Sequence, residues 1–159
     1  MLPVKCGADN DTRGPGGEGY IITGYEGITY AADHGAKIIN CSWGGTGGGT
    51  YGQTIVDYAT INKNCLVVAS AGNDGVEVTG YPASFNYVLS VAATKSTSDT
   101  RATFTTYNYD VDISTPGENI YATYWNNTYS SLSGTSMSSP ITAGGAGLVQ
   151  SKYNYTNAL

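Results

Sequence analysis

The chain has 159 residues, 22 glycines and a formal net charge of −5, and only 12% of its residues are charged. This length predicts one domain with a single core. The sequence excludes a collagen, a coiled coil and a membrane span, because it has no G-X-Y period, no heptads and no apolar run of 18 residues. Its seven basic residues form no stripe, so we expect neither a nucleic-acid nor a membrane partner.

Strand-like and helix-like patterns alternate along the first part of the chain. Residues 8–19 are turn-formers and predict a loop. Residues 19–34 have apolar positions at steps of three and four, which predict an amphipathic helix ending near Gly35. The predicted buried strands span residues 37–43, 65–71 and 87–93, and a second helix spans residues 50–63.

The remaining residues predict shorter strands and one long helix. Residues 101–133 alternate weakly, which indicates short strands and loops. Residues 134–153 predict a final helix, and the small residues over 143–147 would let it pack closely against a neighbour. Continuous apolar strands separated by helices favour an α/β fold with a parallel sheet that is covered on both faces.

Three cysteines, Cys6, Cys41 and Cys65, lie at wide spacing without a C-x-x-C pair, so no zinc or thioredoxin-type motif is indicated. Cys41 and Cys65 lie on strands expected to be adjacent and could come close. We nevertheless predict reduced thiols, because disulfides between neighbouring parallel strands rarely meet the required geometry.

Polar, glycine-rich segments lie after two predicted strands and before the last helix, and open α/β sheets bind ligands at the carboxyl ends of their strands. Ser136 is the most suggestive residue. A hydroxyl at a helix N-terminus lies among unpaired N–H groups and at the positive end of the helix dipole, which favours a nucleophile. An ordinary N-cap serine is the alternative. The three segments are residues 42–45, 70–75 and 133–140.

Taken together, four segments resemble one family in order and spacing. Residues 134–140 (GTSMSSP) are similar to the nucleophile motif of the subtilisin-like serine peptidases, and residues 70–75 (SAGNDG) to their oxyanion-asparagine segment. Residues 38–45 (IINCSWGG) are similar to their substrate-binding strand, and residues 80–82 (GYP) to the turn under their specificity pocket. This sequence departs from the family pattern near these motifs, for example at Ile141 and Thr142, but these positions lie outside the catalytic ones.

The resemblance extends from Val4 to about Tyr153. It implies a three-layer subtilisin-like α/β fold with a mostly parallel sheet that is incomplete on its N-terminal side. Residues 1–159 would form the C-terminal part of such a peptidase domain.

By position, the resemblance also implies residue roles in peptide-bond hydrolysis. Ser136 would be the acylated nucleophile, and Asn73 would donate its side-chain N–H to the oxyanion, with the Ser136 backbone N–H as second donor. The Tyr81–Pro82 bond is expected to be cis, as in the family. A polypeptide substrate would pair as a β-strand with Ser42, Trp43, Gly44 and Gly45. Its side chain before the cleaved bond would enter a pocket lined by Ser70, Ala71, Gly72 and Gly80.

The catalytic acid–base partners are not found. The family order is Asp, His, Ser, which places both partners upstream of this region. His34 is the only histidine, and its Ala-Ala-Asp-His-Gly context does not match the family's His-Gly-Thr-His segment. We interpret it as a residue at a helix C-terminus. Asp33, Asp9 and Asp11 have no family support as the triad carboxylate, so this chain alone is predicted to be inactive.

Three functions remain open at this point. The first is a fragment or one half of a serine endopeptidase, with the missing N-terminal half as its partner. The second is a non-catalytic peptide-binding module derived from a subtilase. The third, an unrelated hydrolase with a G-x-S-x-G elbow, is disfavoured because no glycine lies two residues after Ser136. The first is favoured because a binding module has no chemical need for both Ser136 and Asn73.

The resemblance further implies that no cofactor is required and that no metal takes part at the site. Structural calcium can bind in this family through loop carbonyls, and Ala83, Phe85 and Val88 align with one weak cation site. Asp74, next to Asn73, would mildly favour basic substrate side chains.

The family resemblance implies an extracellular location. The first residues of the chain have neither a basic stretch nor an apolar core, so no signal peptide is visible. Of the four N-x-[ST] sequons, the one at Asn40 lies in a predicted buried strand and is interpreted as chance. The other three sequons begin at Asn10, Asn126 and Asn154.

Overall fold

Helices and strands alternate in the computed structural model of the chain, which describes residues 1–7 and 20–153. The predicted loop over residues 8–19 therefore lies outside the described residues, as do Asn10 and Asn154. The helices are α1 (Gly24–Asp33), α2 (Thr50–Asp57), which a π-helical segment (Tyr58–Asn62) continues, and α3 (Thr135–Tyr153). The strands are β1 (Ile38–Cys41), β2 (Leu66–Ser70), β3 (Val88–Thr94), β4 (Ile113–Pro116), β5 (Ile120–Tyr124) and β6 (Thr128–Leu132).

Four of the strands form one parallel sheet in the order β1-β2-β3-β4, and β5 and β6 form a separate antiparallel hairpin. The register pairs Ile39 with Val67 and Ala69 with Ser90. Parallel strands covered on both faces carry continuous apolar residues, which is why β2 and β3 show no alternation in the sequence. The expected α/β class with a mostly parallel sheet is confirmed.

The two faces of the sheet pack against different helices. On one face, alternate residues of β1 and β2, among them Ile39 and Val67, pack in the main core with α1, α2 and the π-helical segment. On the other face, Asn40 accepts a hydrogen bond from Ser139 of α3. Because side chains alternate between the faces of a strand, the sheet lies between α1 and α2 on one side and α3 on the other. This is the predicted three-layer arrangement.

The open side of the sheet is the edge strand β1. A cleft of about 1010 Å³ lies beside it, between residues 1–4, α1 and the start of α3. The α3 residues that line this cleft are small: Pro140, Ala143, Gly144 and Gly147. An edge strand leaves backbone N–H and C=O groups without strand partners, so this side can accept another strand.

Two expectations about β1 and its neighbour are wrong. Cys41 pairs with Ala69, four residues beyond Cys65, so the two thiols lie at opposite ends of adjacent strands instead of close together. Asn40 is exposed, because β1 is an edge strand rather than an interior one. All three cysteines are free, as predicted.

The thiols should differ in reactivity. Burial raises the pKa of the Cys41 thiol to about 12, and the thiolate is the form that reacts. We expect iodoacetamide at pH 8 to modify the partly buried Cys6 first, and Cys41 and Cys65 only after unfolding in urea. Mass spectrometry of tryptic peptides would measure this order. Rapid labelling of Cys41 in the folded chain, or a loss of two hydrogens before reduction, would contradict it.

Candidate active site

Ser136 lies in the first turn of α3, against the residue that follows β1. Its hydroxyl donates to the carbonyl oxygen of Ser42 at 3.2 Å, and the Ser42 hydroxyl donates to the carbonyl oxygen of Ser136 at 2.9 Å. These reciprocal bonds connect the two segments, although 94 residues separate them in the chain. The prediction that Ser136 lies at the N-terminus of the last long helix is confirmed.

Asn73 follows β2, and its side chain is held by the residue before Ser136. Its Oδ1 accepts from the backbone N–H of Thr135 at 2.8 Å and from the Thr135 hydroxyl at 3.0 Å. A backbone N–H can only donate, so the amide must present its oxygen to Thr135. Within the described part of the chain Nδ2 has no hydrogen-bond partner, so it is available as a donor.

The loop that carries Asn73 is fixed from beneath by the fully buried Thr106. The Thr106 N–H donates to the Gly72 carbonyl at 2.9 Å, and the Asp74 N–H donates to the Thr106 hydroxyl at 3.1 Å. The same hydroxyl donates to the Asp74 carboxylate at 3.2 Å. Gly72 has φ +115°, and a Cβ there would lie 2.8 Å from the Thr106 hydroxyl, so only glycine fits. The backbone on both sides of Asn73 is therefore held.

Residues 42–45 continue β1 as the segment predicted to bind substrate. Gly45 and Tyr81 exchange two backbone hydrogen bonds of 2.9 and 2.8 Å in antiparallel geometry. A Cβ on Gly44 would lie 2.9 Å from the Tyr81 carbonyl oxygen, so a side chain at this position would collide with backbone. The Tyr81–Pro82 bond is cis, as predicted.

The predicted pocket residues lie beside this segment. Ser70 and Ala71, at the end of β2, are buried, and a Cβ on Gly80 would lie 3.5 Å from the Ala71 carbonyl oxygen. Trp43 differs from the others, because its ring packs edge-on against Tyr25 with centroids 5.5 Å apart, at the border of the core. The Trp43 side chain is therefore partly buried at the border of the core.

His34 is remote from Ser136, as expected. It follows α1 and precedes β1, whereas Ser136 contacts the residue after β1. Its ring is exposed and stacks on Tyr30 with centroids 3.9 Å apart. The neighbouring Asp33 pairs with Lys63 at 2.6 Å, and hydrogen bonding to that ammonium group lowers the pKa of Asp33. Both groups lie at the amino end of β1 and cannot reach the Ser136 hydroxyl.

The sequence motifs assigned no role to the side chains of Asn40 and Ser139, but both form hydrogen bonds in this region. The Ser139 hydroxyl donates to Asn40 Oδ1 at 2.7 Å, and Asn40 Nδ2 donates to the Ser42 hydroxyl at 3.0 Å. The chain of donors then continues to the Ser136 carbonyl. An asparagine inside the apolar run of β1 was the available signal, since a polar side chain packed against a helix needs partners.

No group of three or more His, Cys, Asp or Glu side chains that could hold a metal occurs in residues 1–7 and 20–153. Over the same residues, no helix is long and apolar enough to cross a membrane. The groups that contact Ser136 and its neighbours are hydroxyls, side-chain amides and backbone groups.

A parallel α/β sheet, a serine in the first turn of a helix and an asparagine amide bonded to the preceding residue are what the class of subtilisin-like serine peptidases is expected to show. A profile of the subtilase family matches residues 7–158, and the chain belongs to this family. Thermitase from Thermoactinomyces vulgaris is 50% identical over 126 residues, which are 79% of this chain and 44% of thermitase. Subtilisin DY from Bacillus licheniformis is 40% identical over 141 residues, 86% of this chain and 51% of the relative. A cell wall-associated protease from Bacillus subtilis (strain 168) is 42% identical over 149 residues, 94% of this chain and 16% of that protein.

Solved structures agree with this assignment. A cold adapted subtilisin-like serine proteinase superposes with a TM-score of 0.75 at 30% identity, over 82% of this chain and 48% of that one. A patellamide maturation protease superposes with a TM-score of 0.76 at 30% identity, over 84% of this chain and 52% of that one. The chain thus spans about half the length of these proteins.

The hydrogen bonds of Thr135 lead to a stability prediction. Thr135→Val keeps the side-chain shape but removes the hydroxyl that accepts from the Gly72 N–H at 3.1 Å and donates to Asn73. Leaving buried polar groups unpaired costs about 1–3 kcal/mol, so we expect the free energy of unfolding in urea to fall by that amount. Thr135→Ser should retain most of it.

Thr142→Val is the matched control for this experiment. Thr142 is buried on the same helix, but its hydroxyl makes only long contacts, at 3.3 Å to Ser138 and 3.4 Å to Thr115. It should lose much less stability than Thr135→Val. Equal losses in the two valine variants would show that the Thr135 hydroxyl has no special part in holding Asn73.

Proposed function

We propose that this chain carries the nucleophile and the oxyanion hole of a serine endopeptidase that works through an acyl-enzyme. The observation that supports this most is the fixed amide of Asn73, whose oxygen accepts two hydrogen bonds from Thr135, the residue before Ser136. The Ser136 Oγ would attack the peptide carbonyl carbon. The oxyanion would receive N–H groups from Asn73 Nδ2 and from the Ser136 backbone. A general base outside this chain would take the Ser136 hydroxyl proton and pass it to the departing amine, and attack of water on the acyl ester would then release the second product and restore the serine hydroxyl.

A polypeptide substrate would bind as an extra antiparallel strand. Gly45, at the end of residues 42–45, already pairs on one side with Tyr81, and the other side of this segment would pair with the substrate. The side chain before the cleaved bond would enter between Ser70–Gly72 and Gly80. Asp74 is exposed near this region, with its carboxylate held by Thr106, and we propose that it mildly favours basic side chains.

We further propose that residues 1–159 act as the C-terminal part of a peptidase domain and that the general base and its carboxylate come from outside them. The coverage of about half of thermitase and subtilisin DY supports this. So does the cleft beside β1, where the strand edge and the small residues of α3 leave room for an added segment. We propose an extracellular location on the strength of relatives such as the cell wall-associated protease.

The alternative is a non-catalytic module that retains only the peptide-binding strand. It is less well supported, because the amide of Asn73 is fixed by two hydrogen bonds to Thr135, the residue before Ser136. A binding strand over residues 42–45 would gain nothing from that arrangement.

No cofactor is required for this chemistry. Structural calcium remains a proposal for the carbonyls of Ala83, Phe85 and Val88. The Phe85 carbonyl already accepts the Val88 N–H at 3.3 Å, so a cation there would compete with, or share, an existing bond. Neutral carbonyls without a carboxylate would hold calcium weakly.

The chain by itself should not hydrolyse peptides. A serine hydroxyl is a weak nucleophile without a base within about 2.6–3.2 Å, and His34 lies at the other end of β1. On a subtilisin itself, removing the triad histidine lowers kcat by about 2 × 10⁶. We expect no labelling of the purified chain by a fluorophosphonate probe within hours. Rapid labelling that Ser136→Ala abolishes would show that a base exists within the chain.

Reconstitution tests the other half of the proposal. We expect the chain to gain peptidase activity when it is co-folded with the part of thermitase that precedes the matched region. Ser136→Ala should abolish that activity. Asn73→Ala should lower kcat with little change in KM, and on a subtilisin itself loss of the equivalent donor costs about 10²–10³.

Asn86→Ala is a matched control for the asparagine, because Asn86 is exposed and its backbone, not its side chain, bonds Gln53. Its activity should equal that of the unsubstituted chain. A stable co-folded complex that binds peptide but never cleaves it would favour the non-catalytic alternative.

A further inference from the structure

Two of the three free thiols lie on neighbouring segments of the fold. Cys6 precedes α1, and its carbonyl accepts hydrogen bonds from the N–H groups of Ile22 and Thr23, just before that helix. Cys41 is the last residue of β1 and is almost fully buried. Neither thiol has a part in the proposed peptidase mechanism.

The Cys6 side chain lies against Gly27 of α1. A Cβ on Gly27 would lie 2.5 Å from the Cys6 Sγ, which is closer than van der Waals contact allows. The sulfur therefore occupies the space that a side chain at position 27 would need, and the glycine permits this close approach. The Cys6 thiol is thus placed on one particular turn of α1.

The Cys41 side chain faces the same turn of α1. The helix runs antiparallel to β1, since only residues 34–37 connect them. The Trp43 ring lies over Gly24, where a Cβ would be 2.7 Å from it. Cys41 precedes Trp43 by two residues, about 6.6 Å along a strand, and four residues of a helix also span about 6 Å. Cys41 is therefore level with Ile28, its neighbour in the main core.

The electrostatics of the two thiols agree with this placement. The pKa of Cys41 is raised to about 12, mainly by burial and in addition by the negative charge of a Cys6 thiolate. The second effect requires the two sulfurs to be near each other, because the interaction between charges weakens with distance. Both cysteines also line the cleft beside β1. Cys65, in contrast, donates to the Ala36 carbonyl at 3.0 Å, at the other end of β1.

We propose that Cys6 and Cys41 are a disulfide-forming pair, which a small-molecule disulfide such as oxidised glutathione converts from two thiols to one S–S bond. The more exposed Cys6 thiolate attacks one sulfur of the reagent, releases one glutathione and becomes a mixed disulfide. The Cys41 sulfur then attacks the Cys6 sulfur and displaces the second glutathione. The chain loses two hydrogens, and the reagent gains them as two thiols.

The first step of this exchange assists the second. Once Cys6 carries glutathione, its sulfur has no negative charge, so one of the two causes that keep Cys41 protonated is removed. The burial of Cys41 remains, and we therefore expect the second step to be the slower one.

The bond would tie residues 1–7 to the end of β1. Cys41 directly precedes Ser42, whose carbonyl and hydroxyl both bond Ser136, so the crosslink would hold β1 where it enters the candidate site. A disulfide also restricts the unfolded chain, so the oxidised chain should unfold at a higher urea concentration. The proposed extracellular location would favour the oxidised form. The bond does not depend on the proposed peptidase activity.

Peptide mapping tests the proposal on the chain as it is. The reduced chain is incubated with oxidised glutathione at pH 8, blocked with iodoacetamide in urea and digested without reduction. We expect residues 6–13 and 38–63 to be recovered as one linked pair, two hydrogens lighter than the sum of the free peptides. Trypsin places each cysteine in a different peptide, because it cleaves after Lys5, Arg13, Lys37, Lys63 and Lys95.

Single variants separate this pair from other pairings. Cys65→Ser should keep the crosslink and the higher urea midpoint of the oxidised chain, and Cys6→Ser should lose both. The reduced Cys6→Ser chain should unfold at the same urea concentration as the reduced unsubstituted chain, which guards against a general folding defect. A crosslink to Cys65, crosslinks only between two copies by intact mass, or glutathione that stays on Cys6 without further exchange would overturn the proposal.

Discussion

The first turn of α3 is held between the ends of two strands, and the arrangement of the site depends on that attachment. Thr135 is bound by Asn73, 62 residues away in the chain, and Ser136 exchanges bonds with Ser42, 94 residues away. The first N–H groups of a helix have no partner within the helix. Here the Thr135 N–H is satisfied by a side-chain oxygen from a neighbouring loop. The same bond that caps the helix orients the amide of Asn73.

The loops that carry Asn73 and Ser42 are held in place because their backbones lie very close to neighbouring residues. Gly72 adopts a positive φ against Thr106, and Gly44 lies against the Tyr81 carbonyl, so both loops leave the sheet along paths that only glycine permits. Preorganised donors stabilise a developing charge without having to reorganise during the reaction. In the proposed mechanism this chain would supply the groups that bind the oxyanion and the substrate strand, and the group for proton transfer would approach Ser136 from the open side of the sheet.

That open side is the edge of β1. Its backbone groups have no strand partner there, and the cleft beside it is lined by small residues of α3. Asn40 stands at this edge and connects Ser139 with Ser42. A strand added at β1 would cover that network and lower its exposure to water, which strengthens hydrogen bonds. Hydrogen bonds thus connect Asn40 at this edge, through the Ser42 hydroxyl, to the Ser136 carbonyl.

Local patterns in the sequence were sufficient for much of this protein. Apolar runs closed by glycines predicted β1 to β3, and steps of three and four predicted α1, because burial on two faces or on one stripe imposes those periods directly. The motif around Ser136 and the segment around Asn73 indicated the family. The resemblance also predicted that these two segments lie close together. Local patterns did not predict that the first helix starts at Gly24 rather than near residue 19. They also did not predict the register of the β5–β6 hairpin.

What only the tertiary structure decided is which distant residues become partners. The sequence shows Asn40 as one polar residue in an apolar run, but its bonds to Ser139 and Ser42 exist only because α3 packs across that face of the sheet. Cys41 and Cys65 illustrate the same limit, since neighbouring strands alone do not determine register, and the observed pairing of Cys41 with Ala69 separates the thiols. Periodicity reports which face of an element is buried, while register and hydrogen-bond partners depend on contacts between segments far apart in the chain, and no local pattern encodes those.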